Sequence, residues 1–160
     1  MERTLVLLKP DAVQRFLVGR ILSRLESKGL KLVGMKMLKL APALAQRLYE
    51  PHRGKPFYEG LVRFMTASPI VALCLEGKGA IGVVRKLLGA TFGSKAEPGT
   101  IRGDFGISDS FNLVHGSDSP ESAAREIPIF FQPAEIAPWD PLVLPWIYDL
   151  PAEMPDASSR

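Results

Sequence analysis

A chain of 160 residues, 46% hydrophobic and 23% charged, can bury one sizeable core and has the composition of an ordinary globular domain. A net charge of +3 and a pI near 9.1 hint at anionic partners, but a normally solvated surface with a few extra Lys and Arg is the better reading. Cys74 is the only cysteine, which excludes an internal disulfide and fits a reducing compartment. Apolar runs of about six residues are far short of the roughly 20 that span a bilayer.

Strand-like sequence begins at Arg3 and leaves no space for a signal peptide, so a cytoplasmic protein is expected. Thr4 to Leu8 reads as a buried strand that delivers Lys9 at its end, stopped by Pro10. Asp11 is placed to cap a helix on which Val13, Leu17, Ile21 and Leu25 recur, with Gly19 a point of division and Gly29 a stop. Leu30 to Leu40 alternates as a strand with Val33, Met35 and Met37 on one face, and Pro42 opens a helix through Tyr49. Phe57 to Met65 is helical, Ile70 to Leu75 a buried strand around Cys74, and Ala80 to Leu88 a helix.

The stretch from Thr91 to Ser110 is irregular and longer than compact domains keep without a use. Phe111 to Val114 reads as a strand, and Ser117 or Ser119 caps a helix through Glu126. Ile129 to Phe131 is a brief apolar run. From Pro133 onward six prolines exclude a continuous helix, while Trp139 and Trp146 need a surface to pack on. Residues 1–150 are read as one domain and 151–160 as a disordered tail. The order of elements gives an α+β sandwich of ferredoxin-like kind, a four-stranded, mostly antiparallel sheet with helices on one face.

Two glycine-bearing motifs mislead. Gly77, Gly79 and Gly82 spell a dinucleotide-binding pattern between a strand and a helix, but no parallel strand with an acidic end follows. A tight turn is the better reading. Arg102-Gly103-Asp104-Phe105 resembles an RNA-binding strand, yet its partner motif is missing and Asp104 would repel phosphate.

His115 stands where an apolar stretch gives way to Gly116-Ser117-Asp118-Ser119. No Cys or second His lies at metal-ligand spacing, and no Gly-x-Ser-x-Gly elbow makes it a triad base. Lys9, Arg85, Thr91, Arg102 and Asn112 fall at element ends or in the long loop. Two guanidiniums, an ammonium and a hydroxyl match the demands of a polyphosphate. Beside such a site a neutral imidazole can attack phosphorus, with Glu126 holding its other nitrogen.

Glu2-Arg3-Thr4, Lys9-Pro10-Asp11, Gly54-Lys55-Pro56-Phe57, Pro98 through Phe105 and Asn112 through Ser119 together resemble the nucleoside diphosphate kinase family over nearly the whole chain. The resemblance implies transfer of the γ-phosphate of a nucleoside triphosphate, typically ATP, to a nucleoside diphosphate through phosphorylated His115. It assigns Lys9, Tyr49, Arg85, Thr91 and Arg102 to the phosphates or to support of the histidine. Asn112, with Lys9, goes to the ribose, and Phe57 to stacking on the base without reading its identity. Ser117 and Glu126 orient the imidazole. The resemblance also implies Mg2+ carried on the phosphates rather than in a protein metal site, and a homo-oligomer, a hexamer before a tetramer. Neither a membrane nor nucleic acid is expected as main partner. Phe92-Gly93 departs from the Asn-Pro frequent in the family, so a different entry to the loop is expected. The competing hypothesis is a catalytically weak nucleotide- or nucleic-acid-binding regulatory homologue.

Overall fold

The computed structural model describes residues 1–148, and the expected tail at 151–160 lies outside that range. Four strands, β1 (Glu2–Leu8), β2 (Lys31–Leu38), β3 (Ile70–Gly77) and β4 (Val114–Gly116), form one sheet in the order β2-β3-β1-β4. Every pairing is antiparallel. Leu5 to Leu8 of β1 and Ile70 to Leu75 of β3 are apolar without a break and buried, because both faces of these central strands are covered.

Alternation along β1 shows how. Leu5 and Leu7 pack with Cys74, with Leu48 of helix α3 (Pro42–Leu48) and with Met65 of α4 (Tyr58–Ala67). Phe130 of α7 (Pro120–Phe130) joins the same layer. Val6 and Leu8 face the other way, onto Ile21 and Leu25 of α2 (Val18–Ser27) and Val84 and Leu88 of α5 (Ala80–Leu88). Helices therefore lie on both faces, one layer more than the sequence led us to expect. The period-2 geometry of a strand requires such a layer wherever consecutive residues are all apolar.

Several local expectations are corrected. Lys9, not Asp11, is the N-cap of α1 (Pro10–Gln14). The break before α2 falls at Phe16, in the left-handed region at φ +56°, and not at Gly19. The N–H of Leu17 donates to Ala12 O at 2.9 Å and that of Phe16 to Val13 O at 3.1 Å. That pair of bonds satisfies the end of α1 and turns the chain. Met35 and Met37 are exposed on edge strand β2, beyond a bulge at Val33. Helix α7 runs past Glu126 and through Pro128 to Phe130, its end held by burial of Ile129, Phe130 and Phe131.

The long loop contains a 3-10 turn (Gly93–Lys95) and a short helix, α6 (Ile101–Phe105), where no helix was expected. It is tied to α2, since Arg24 binds Asp104 at 2.6 Å and also donates to Gly99 O. The Pro-rich tail lies along its own sheet edge: Ala137 N donates to Val33 O and Trp139 Nε1 to Leu32 O, both at 2.8 Å. A last helix, α8, spans Leu144–Ile147. Among the described residues no helix is long and apolar enough to cross a membrane.

The misleading glycine motif is a turn. Gly79 sits at φ +61° as N-cap of α5, and the carboxylate of Glu2 accepts the helix's Ile81 N–H at 2.8 Å. An anionic side chain thus already occupies the place where a dinucleotide phosphate would bind.

Candidate active site

The site forms at the end of β1, where the chain beside it makes a strained turn. Leu113 has φ +69°, and Val114 N donates across it to Asn112 O at 2.8 Å. That is a γ-turn of the rare, strained hand. Its two outward backbone groups are both used: Leu113 N donates to Asp11 Oδ2 at 3.0 Å, and Leu113 O accepts from Lys9 N at 2.8 Å. This turn delays the start of β4 to Val114. His115 is consequently inside the strand, paired with Leu7, rather than beyond its end as expected.

The imidazole is fixed from one side. His115 Nε2 lies 2.9 Å from Glu126 Oε2, and the Ser117 hydroxyl donates to the same oxygen at 2.8 Å. A carboxylate at Nε2 places the proton there and leaves the Nδ1 lone pair free. Burial alone would raise the Glu126 pKa. The bond and charge of His115, the bond of Ser117 and the charge of Arg125 hold it below the ordinary carboxylate value. The Tyr49 ring stands edge-on to the imidazole at 6.2 Å, its hydroxyl buried without a partner among the described residues. Burial, then the charge of Glu126, pushes that phenol above its usual range, so it stays protonated and available as a donor.

On the other side the polar residues form a chain. Lys9 Nζ donates to Asn112 Oδ1, and Asn112 Nδ2 to Thr91 O, both at 2.7 Å. Burial, with the charge of Arg102, lowers the Lys9 ammonium to about 8, against a smaller opposing effect of Asp11. Arg102 is only 3% exposed and has a job the sequence did not suggest. It donates to Asn112 O at 3.1 Å, Gly89 O at 3.0 Å and Val114 O at 2.8 Å, clamping its own helix α6 to the end of α5 and to both sides of the turn at Leu113. Burial, then the nearby Arg85, lowers its guanidinium to about 10. Arg85 is half-buried on α5, and its guanidinium has no hydrogen-bond or ion-pair partner among the described residues. Its charge is felt by Arg102 and by the exposed Asp118. Two cations held close, with only the exposed Asp118 acting on them among the described residues, form a site for an anion.

Phe57 stands apart, exposed at the N-cap of α4, and is linked to the rest through His52. The His52 ring lies 5.5 Å from Phe57 and 6.3 Å from Tyr49, and its Nδ1 is 3.0 Å from Lys55 Nζ. Burial, then the charges of Lys55 and His115, lowers the His52 pKa. The sequence reading passed over His52, although it is the only other histidine in the chain. Arg125, which touches Glu126, was also missed. An arginine beside a glutamate on a helix carries no signal of its own.

Chemically, the arrangement offers an oriented imidazole with a free nitrogen, a cationic wall beside it and an exposed aromatic face at its rim. It suits attack on a phosphoryl group belonging to an aromatic-bearing polyanion.

Comparison with known proteins gives the same direction. The family model described as nucleoside diphosphate kinase matches residues 2–136. A nucleoside diphosphate kinase of Synechococcus elongatus is 54% identical over 149 residues, covering 93% of this chain and 100% of the relative. One from Archaeoglobus fulgidus is 55% identical over 149 residues, covering 93% and 99%. Among solved structures, a halophilic nucleoside diphosphate kinase from Halobacterium salinarum in complex with CDP superposes with a TM-score of 0.91 at 47% identity, covering 92% of this chain and 99% of that one. A nucleoside diphosphate kinase family protein from Babesia bovis gives 0.90 at 43% identity, covering 92% and 100%.

Proposed function

The chain belongs to the nucleoside diphosphate kinase family, and we propose that His115 is the residue through which it moves phosphate. The enzyme transfers the γ-phosphate of a nucleoside triphosphate to a nucleoside diphosphate. One observation carries the residue assignment: Nε2 of His115 is held by Glu126, which leaves Nδ1 as the only imidazole nitrogen open to substrate.

In the first half-reaction the Nδ1 lone pair forms a bond to the γ-phosphorus. The bond from phosphorus to the bridging oxygen breaks, and the diphosphate leaves with that electron pair. Positive charge developing on the ring is balanced by the ionised Glu126, which Ser117 keeps in place. Arg85, Thr91, Lys9 and the free N–H of Arg102 bind the phosphates, and the buried Tyr49 hydroxyl supports the ring. Asn112 and Lys9 reach the ribose. Phe57 offers a face on which any base can stack, which gives broad specificity. A second diphosphate then takes the phosphoryl group by the reverse path.

Magnesium, when bound, would be held on the nucleotide's phosphates. Among the described residues no three His, Cys, Asp or Glu side chains stand together as a cage, and a donor set of Arg, Lys and Thr fits an ion carried by phosphate oxygens. The ion would neutralise charge between the phosphates. Residues 1–150 act as one domain in this reading, in the cytoplasm, in keeping with a lone, buried thiol at Cys74. We also infer a homo-oligomer, a hexamer before a tetramer, whose contacts would cover Met35 and Met37 on edge strand β2.

Incubation with γ-labelled ATP and magnesium tests the nucleophile. The expected product is one acid-labile, alkali-stable phosphate on the wild type and none on His115→Ala. Labelling of the alanine variant at the wild-type level would overturn the assignment.

A further inference from the structure

We propose that Arg125 is a positioning residue for phosphohistidine chemistry, its guanidinium joining Glu126 to the end of α3 so that Glu126 and Tyr49 form one rigid frame around the His115 ring. The inference rests on His115 as nucleophile and concerns how its surroundings are held.

Glu126 is 4% exposed and has two oxygens to satisfy. Oε2 serves His115 and Ser117, while Oε1 accepts from Arg125 NH2 at 3.1 Å. No other side-chain donor reaches Oε1 among the described residues. The second arm of the same guanidinium, NH1, donates to Leu48 O at 3.2 Å. Leu48 is the last residue of α3, and the next residue is Tyr49, whose ring faces His115. One planar fork therefore links the carboxylate on Nε2 to the backbone that carries the phenol. These two elements are otherwise 77 residues apart in the chain. A guanidinium can bridge them because its N–H groups diverge at fixed angles, which an ammonium cannot match. Its side chain is 41% exposed, so it can be replaced without emptying the core.

The charge has a separate effect. Phosphoryl transfer needs Glu126 ionised, and its carboxylate is faced by His115 from β4, Tyr49 from the end of α3 and Arg125 from its own helix. Around this group stand His52 and Lys55 from the segment after α3, with Asp118 beyond β4 and Arg85 on α5. Arg125 is the permanent cation that favours the ionised form, beside the hydrogen bonds of His115 and Ser117. Without Arg125, Glu126 takes up a proton at higher pH and the imidazole loses its balancing charge there.

The test is the pH profile of phosphoenzyme formation, measured by rapid quench in wild type, Arg125→Gln and Arg125→Lys. Gln keeps a hydrogen-bond donor without charge, and Lys keeps charge without the fork. In Gln the acid limb should move up by about half to one pH unit, the effect of one partly exposed charge a few ångströms away. In Lys the limb should stay at its wild-type position, while the plateau rate falls several-fold and the nucleotide KM changes little. Wild-type profiles and plateaus in both variants would overturn the proposal, as would equal limb shifts in Gln and Lys. Absence of label on His115 in the wild type would instead defeat the nucleophile assignment itself, so the two failures are distinguishable.

Discussion

The backbone N–H of Leu113 donates to the carboxylate of Asp11 at 3.0 Å, and this bond holds the strained turn that aims His115. Leu113 is fully buried, so its N–H has no water to fall back on. Asp11 thus acts as a brace for the turn, 102 residues away in sequence, rather than as the helix cap its position suggests.

Asp11→Ala should therefore destabilise the fold by about 1–3 kcal/mol, the range for a buried donor left without its acceptor. Phosphorylation of His115 should slow as well, because the turn relaxes two residues before it. Urea denaturation and phosphoenzyme formation measure the two effects. An unchanged midpoint in urea would show that the turn holds without Asp11.

In the proposed site, Lys9 should make nucleotide affinity depend on alkaline pH. Its pKa is lowered from 10.5 to about 8, so in the free enzyme the ammonium discharges as pH rises through that value. Nucleotide affinity, read by calorimetry from pH 7 to 9.5, should fall across this window for the wild type. It should hold for Lys9→Arg, whose charge persists. Stability runs the opposite way. Between about 8 and 10.5 the unfolded chain binds a proton that the folded chain does not, so unfolding becomes harder as pH rises. Parallel decline of affinity in both proteins would remove Lys9 as the cause.

Glu126→Gln addresses the other flank of the histidine. The amide cannot supply the charge that balances the ring, and the phosphorylation rate should drop by about 10²-fold, at the low end of what acid–base partners contribute. The folded pKa of Glu126 is depressed, so its contribution to stability is complete above the ordinary carboxylate value and is lost as pH falls through the folded one. Melting temperatures of wild type and variant should differ at pH 7 and converge on acidification. A gap that widens toward acid would contradict the sign of the shift.

What the sequence disclosed and what it hid divide along physical lines. The cores of β1 and β3 and the limits of α5 were readable, because a continuous apolar run or a helical period is a local property. Of the candidate site, the residue types were readable, a histidine, two arginines, a lysine and a carboxylate at element ends and in the long loop, while their meeting in space depends on the fold. The second helical layer was implied by those same apolar runs and went unread. The turn at Leu113 was not readable, since its strain is sustained by Asp11 and Lys9 from the far end of the chain. Helix α6 was hidden for a similar reason. Its Gly-rich sequence favours a loop, and Arg24 of α2 supplies the brace that keeps it folded. Arg102 shows the limit most clearly, because nothing in its type or position distinguishes a phosphate ligand from a clamp on three carbonyls.

Gly93 is the final case, and here the loop's unusual entry becomes a testable feature. A Cβ built at Gly93 would lie 2.2 Å from Gly106 O and 2.6 Å from Ser108 O, both backbone atoms that cannot swing aside. Gly106 in turn donates its N–H to Arg102 O at 2.8 Å, so displacing it disturbs the arginine that clamps Asn112 and Val114. Gly93→Ala should cost about 2–3 kcal/mol, the range for overpacking against fixed structure. Nucleotide binding should weaken too, because Thr91 lies two residues upstream. The neighbouring Phe92 is half-exposed, with the Lys95 ammonium over its ring at 5.5 Å. Phe92→Ala should therefore change stability by no more than about 0.5 kcal/mol. Thermal denaturation of the two variants separates a close approach that needs glycine from a loop that is merely variable. Equal melting temperatures for Gly93→Ala and wild type would mean that the carbonyls of Gly106 and Ser108 yield freely, and that the loop's entry places no constraint on the site.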